Sequence, residues 1–94
     1  MKIIKVNKNN CKLCQDLSKV LDKVKQEIDF ELEEYNINST VFKERTLANK
    51  ILNMYATTNT PFLLFSDKDK YFAAHYFEEG VATVETITKK LKSK

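Results

Sequence analysis

The chain has 94 residues, 43% of them hydrophobic and 31% charged, which supplies one core and is too short for two of ordinary size; a single glycine and a single proline exclude collagen-like, linker-rich and low-complexity readings. A formal net charge of +3, from 16 basic and 13 acidic side chains, is mild and interspersed apart from Lys89, Lys90, Lys92 and Lys94, so no nucleic-acid partner is expected. No apolar run approaches bilayer length, and MKIIKVNK meets a lysine and an asparagine before any signal-peptide core forms, so the expectation is a cytoplasmic protein without membrane association.

Ile3, Ile4 and Val6 form an apolar run long enough for a strand and too short for a helix. After a turn at Asn7 to Asn10, the apolar positions Leu13, Leu17, Val20, Leu21, Val24 and Ile28 recur at spacings of three and four, the period of one helix face, while Lys19, Asp22, Lys23 and Lys25 stay in water. Phe30 and Leu32 alternate with Glu31 and Glu33 in a strand over Phe30 to Tyr35, whose charge suits a sheet edge guarded against pairing with another chain. Asn36 to Thr40 reads as a loop ending in a serine or threonine N-cap, followed by a helix with Leu47, Ala48, Ile51, Leu52 and Tyr55 at helical spacing.

Pro61 introduces a continuous apolar run, Phe62 to Phe65, the pattern of a fully buried central strand. Ser66 to Lys70 predicts a turn and Tyr71 to Phe77 a fourth strand, so these two strands form a hairpin, ended by Gly80. Thr83 caps a final helix with Val84, Ile87 and Leu91 inside and lysines in its last turn, as the helix dipole favours. The predicted class is α/β: a βαβ unit with parallel strands, then a hairpin and a C-terminal helix, giving a four-stranded mixed sheet with helices on both faces.

Cys11 and Cys14 are the only cysteines, too few for a secreted disulfide scaffold, and the loop between them is too small to remove much entropy from the unfolded chain. Chemistry explains them better than stabilisation. Cys11-Lys12-Leu13-Cys14 follows a strand and opens a helix, where unpaired backbone N–H groups, the positive end of the helix dipole and Lys12 all favour a thiolate at Cys11. Cys14, a turn along and expected to be more shielded, is placed to attack a mixed disulfide and release the substrate. Two other readings stand beside this one. Half of a zinc or cluster site is the first, although His75 is the only further soft ligand; a pair of small buried side chains without chemistry is the second. His75 itself, and Tyr71, Phe72, Tyr76 and Phe77, read as strand packing, and Glu31, Glu33 and Glu34 as a solvated edge.

The cysteine motif at the first strand-to-helix junction, a proline before the third strand and the βαβ-ββα order together resemble the thioredoxin-like superfamily, in particular its small glutaredoxin-like members, over residues 1–94 as a single domain. From the residues alone Pro61 is an X-Pro bond at strand entry, cis or trans. The resemblance implies a cis Thr60-Pro61 beside the cysteines, with the backbone of Thr60 meeting substrate. Thioredoxins usually carry Trp-Cys-Gly-Pro-Cys and a buried acid in the first strand, where this chain has Asn10 before Cys11, Lys12-Leu13 between the cysteines, and Lys5 where that acid is sought. Glutaredoxins usually carry Cys-Pro-Tyr-Cys and a Gly-Gly pair before the last helix, where this chain has Gly80 alone. The expectation is a monomeric dithiol oxidoreductase with catalytic Cys11 and Cys14, substrate contacts at Lys12, Thr60 and Pro61, and no bound cofactor or metal. Its partners would be a disulfide-containing protein or small molecule, and a reductase or glutathione as electron source.

Overall fold

A computed structural model describes residues 2–67, 70–75 and 80–92. Its elements in chain order are β1 (Lys2–Asn7), α1 (Lys12–Glu27), β2 (Glu31–Asn36), α2 (Phe42–Met54), β3 (Phe62–Asp67), β4 (Lys70–His75) and α3 (Val84–Lys92). The sheet order is β2-β1-β3-β4. β1 pairs with β2 in parallel and with β3 antiparallel, and β3 pairs with β4 antiparallel. This is the four-stranded mixed α/β sheet that the alternation of short apolar runs with helical periodicity predicts.

The pleat of β1 divides the apolar residues between the two faces. Ile3 joins Leu17, Leu21 and Val24 of α1, Leu63 and Phe65 of β3, and Ile87 and Leu91 of α3 in one core cluster. Val6 joins Ala48 and Leu52 of α2 with Phe62 and Leu64 in the other. β3 feeds both, which is why its run is apolar without alternation. Phe65 stacks on Phe72 of β4 with ring centroids 5.5 Å apart.

Several local readings change. The second strand begins at Glu31 rather than Phe30, whose buried ring belongs to the α1-side core. α2 has Val41 at its N-cap without any side-chain hydrogen bond, because the Ser39 hydroxyl instead accepts the Val41 N–H within the preceding loop. Leu47, expected inside, is exposed, and α2 presents Ala48, Ile51 and Leu52 to the sheet. α3 is capped as predicted: the Thr86 N–H donates to Thr83 Oγ1 at 3.2 Å while the Thr83 N–H donates to Thr86 Oγ1 at 2.9 Å. Tyr76 and Phe77, the side chain of His75 and Lys94 lie outside the described residues. Tyr71, expected to pack, is exposed.

Candidate redox-active site

Where β1 ends, the chain turns through Asn10 in the left-handed region (φ 54°), a conformation asparagine tolerates better than most residues. A clasp of asparagines holds this turn to the loop after β2: the Asn9 N–H donates to Asn38 Oδ1 at 2.9 Å, and Asn36 Nδ2 donates to Asn9 Oδ1 at 3.1 Å. Cys11 follows in extended conformation as the N-cap of α1, and its Sγ accepts the Cys14 N–H at 3.1 Å. That amide has no partner inside the helix, so the sulfur occupies the place that a serine or aspartate oxygen takes in an ordinary cap. No acidic residue stands in the first turn of α1 to compete for the positive helix end.

Cys11 and Cys14 are joined as a disulfide, their Cα atoms 5.2 Å apart. They are almost equally shielded, at 6% and 4% exposure, so the greater burial expected for Cys14 is not what distinguishes them. The distinction is in the contact: only Cys11 Sγ receives the helix-end amide. Such an arrangement accepts two electrons at the disulfide and, once reduced, favours negative charge on the first sulfur.

Lys12 is exposed in the first turn of α1. Thr60 and Pro61 are buried, and the peptide bond between them is cis. Because Val6 pairs with Phe62, they enter β3 at the same end of the sheet from which β1 leaves toward Cys11. A small cleft of about 140 Å³ reaches both cysteines and is lined by Lys5, Asn7, Lys8, Gln15 and Ser18, with Lys12, Thr60 and Pro61 outside it. The Thr60 hydroxyl and the Asn7 amide oxygen are buried with no hydrogen-bond partner among the described residues.

Lys5 enters the sequence reading only as a departure from the thioredoxin pattern, Glu34 only as part of a solvated edge, and Ser18 not at all; the structure brings the three together beside the cysteines. Lys5 is 1% exposed; its Nζ donates to Ser18 Oγ at 2.6 Å and lies 3.3 Å from Glu34 Oε1. Burial pushes the Lys5 ammonium below the ordinary lysine value, and the charges of Glu34 and Asp22 oppose that fall. The signal was available in part, since alternation from Ile3 puts Lys5 on the inward face of β1. Among the described residues no group of three or more His, Cys, Asp or Glu side chains is placed to hold a metal ion, and no helix is long and apolar enough to cross a membrane.

A mixed sheet with a disulfide at the start of its first helix defines a small protein of the thioredoxin-like superfamily. More narrowly, the model of the family described as Glutaredoxin-like domain (DUF836) matches residues 2–92, and the chain belongs to that family. Solved structures agree on the fold. Thioredoxin from Aeropyrum pernix superposes with a TM-score of 0.72 at 16% identity, over 97% of this chain and 72% of that one. Thioredoxin O2 from Arabidopsis thaliana, in its oxidised state, gives 0.69 at 13% identity over 96% and 73%. Thioredoxin 1 from Thermosipho africanus gives 0.61 at 18% identity over 98% and 96%. A comparison with curated proteins finds no match. The family and the paired cysteines together support a thiol–disulfide redox function in general terms.

Proposed function

We propose that this protein is a small dithiol oxidoreductase that reduces disulfides, with Cys11 as nucleophile and Cys14 as resolving thiol. The observation that carries the assignment is the Cys14 N–H directed at Cys11 Sγ at the head of α1, which favours the Cys11 thiolate. Cys11 attacks one sulfur of the substrate disulfide, and the other leaves as a thiolate that takes a proton from water. Cys14 then attacks Cys11 Sγ, so that the Cys11–Cys14 bond forms as the mixed disulfide breaks. The substrate gains two electrons and the protein loses two.

Lys12, exposed beside the first thiol, and Thr60 and Pro61, at the same sheet end, are the groups assigned to substrate contact. The substrate class is a disulfide in a protein or small molecule, and the electrons return through a disulfide reductase or glutathione. The protein acts as a cytoplasmic monomer without a resident cofactor, and residues 1–94 work as one domain. Incubation of the Cys14→Ser variant with a disulfide substrate is expected to accumulate a mixed disulfide at Cys11, identified by peptide mass, whereas Cys11→Ser abolishes exchange. A mixed disulfide at residue 14 in the Cys11→Ser protein, formed as fast, refutes the assignment.

A further inference from the structure

Among the described residues, Lys5 is the only charged side chain in the buried set, and dithiol exchange as written above makes no use of it. An ammonium ion taken out of water is costly unless its partners replace the lost hydration. Here they do so incompletely. Ser18 Oγ accepts one hydrogen bond at 2.6 Å, and Glu34 Oε1 lies 3.3 Å away on a side chain that is 47% exposed. Water screens the Glu34 carboxylate, whereas the field of Lys5 acts through the poorly screening interior.

That interior leads to the sulfurs. Lys5 and Ser18 line the same small cleft as Cys11 and Cys14, and the Ser18 hydroxyl donates to the Cys14 carbonyl at 3.2 Å. Around Lys5, α1 contributes the two cysteines, Ser18 and, at longer range, Asp22; β2 contributes Glu34 directly across the ladder; the turn after β1 contributes Lys8; and β3 contributes only apolar Leu63. The carboxylates oppose the fall that burial imposes on the Lys5 ammonium, and among the described residues nothing else lining the cleft bears a negative charge until a thiolate forms.

We propose that Lys5 is a positioning residue for the second half of the exchange, its buried ammonium serving as the counter-charge that holds Cys14 as a thiolate while Cys11 is tied up in the mixed disulfide. This rests on the dithiol reading above. The Cys14 thiol gives its proton to solvent, the sulfur attacks Cys11 Sγ, and the departing substrate sulfur takes the electron pair and a proton from water. Lys5 neither gains nor loses a proton. In the free dithiol the Cys11 thiolate forms first, and its negative charge opposes ionisation of Cys14; engagement of Cys11 removes that charge and leaves the ammonium field to Cys14.

The test uses the reduced Cys11→Ser protein, in which serine keeps the helix cap and residue 11 is uncharged. Ultraviolet thiolate absorbance is followed against pH, with and without Lys5→Met and Lys5→Arg. Cys14 is expected to titrate below the ordinary thiol value of about 8.5 despite its burial, Lys5→Met to cut the thiolate fraction near neutrality about tenfold, and Lys5→Arg to restore most of it. Titration of Cys14 at or above the ordinary value with Lys5 in place overturns the proposal, and this needs no Lys5 variant to fold. So does a Lys5→Met fraction within twofold of the parent, or Lys5→Arg behaving as Lys5→Met. Reduction of an aromatic disulfide by the chain with both cysteines is measured alongside. Exchange without dependence of Cys14 on Lys5 leaves the dithiol function standing and sinks the role of Lys5, whereas a Lys5-dependent Cys14 in a protein that exchanges nothing sinks the function instead.

Discussion

Two ion pairs link β1 to the edge strand β2, and Glu34→Gln separates their energetics. The Lys5–Glu34 pair joins an ammonium 1% exposed to a carboxylate 47% exposed at 3.3 Å, whereas Lys2–Glu33 joins side chains 36% and 41% exposed at 2.9 Å. Removing one partner of a fully buried pair costs about 3–5 kcal/mol, and exposed pairs contribute about 0–1 kcal/mol. With one end buried and the other half in water, and with the glutamine oxygen still able to accept a hydrogen bond, Glu34→Gln should cost about 1–2 kcal/mol. For a chain of this length that lowers Tm by roughly 5–15 °C. The shorter pair should matter less than the longer one: Glu33→Gln is expected to leave the melt unchanged. Lys5→Met combined with Glu34→Gln should recover the loss, since methionine suits a buried position across the ladder from Leu63, on the face of β1 that Ile3 shares with the α1-side core, and leaves no orphaned charge. Thermal unfolding by circular dichroism reads all three. An unchanged melt for Glu34→Gln, an equal loss for Glu33→Gln, or a double variant no more stable than Glu34→Gln would refute the reasoning.

Lys5 also makes stability depend on pH in a definite direction. Its folded value is lowered, so between that value and the unfolded value near 10.5 the unfolded chain binds more protons; the stability of the parent relative to Lys5→Met should therefore rise as pH rises through that window, read from urea midpoints. A falling difference would contradict the burial of a charged lysine. In the fully reduced parent, iodoacetamide at neutral pH should label Cys11 roughly tenfold faster than Cys14, because only Cys11 Sγ receives the helix-end amide, and peptide mapping that gives equal rates would count against this. Phe65→Ala, removing a fully buried ring stacked on Phe72, should cost about 3–5 kcal/mol in urea unfolding. Thr83→Ala should cost about 1 kcal/mol by removing the cap of α3.

What the sequence discloses here is what is encoded locally. The helical stripe of Leu17, Leu21 and Val24, the unbroken run of Phe62 to Phe65 and the Thr83 cap each express a period or a neighbour, and each reads through to the fold. Cys11 at a helix start is local in the same sense. The partnership of Lys5 with Glu34 is set by parallel register across the α1 crossover, and Ser18 looks like any polar residue beside an amphipathic stripe until β1 is laid beneath it. Leu47 fails for a related reason. Its spacing fits the α2 face, but which residues of a weakly amphipathic helix turn inward is decided by the angle at which it meets the sheet.

The single charged side chain on the inner face of β1 has a consequence for how the sheet chooses its alignment. A strand's residues exchange faces if pairing slips by one position, and a purely apolar β1 between two apolar layers would tolerate such a slip with little penalty. Lys5 forbids it. Shifted by one, its ammonium would leave Ser18 and Glu34 for the face that carries Val6, Ala48, Leu52, Phe62 and Leu64, and Val6 would face Ser18 and Glu34. A residue that weakens the packed state in energy thereby narrows the ensemble to one strand register, the alignment that delivers Cys11 to the head of α1.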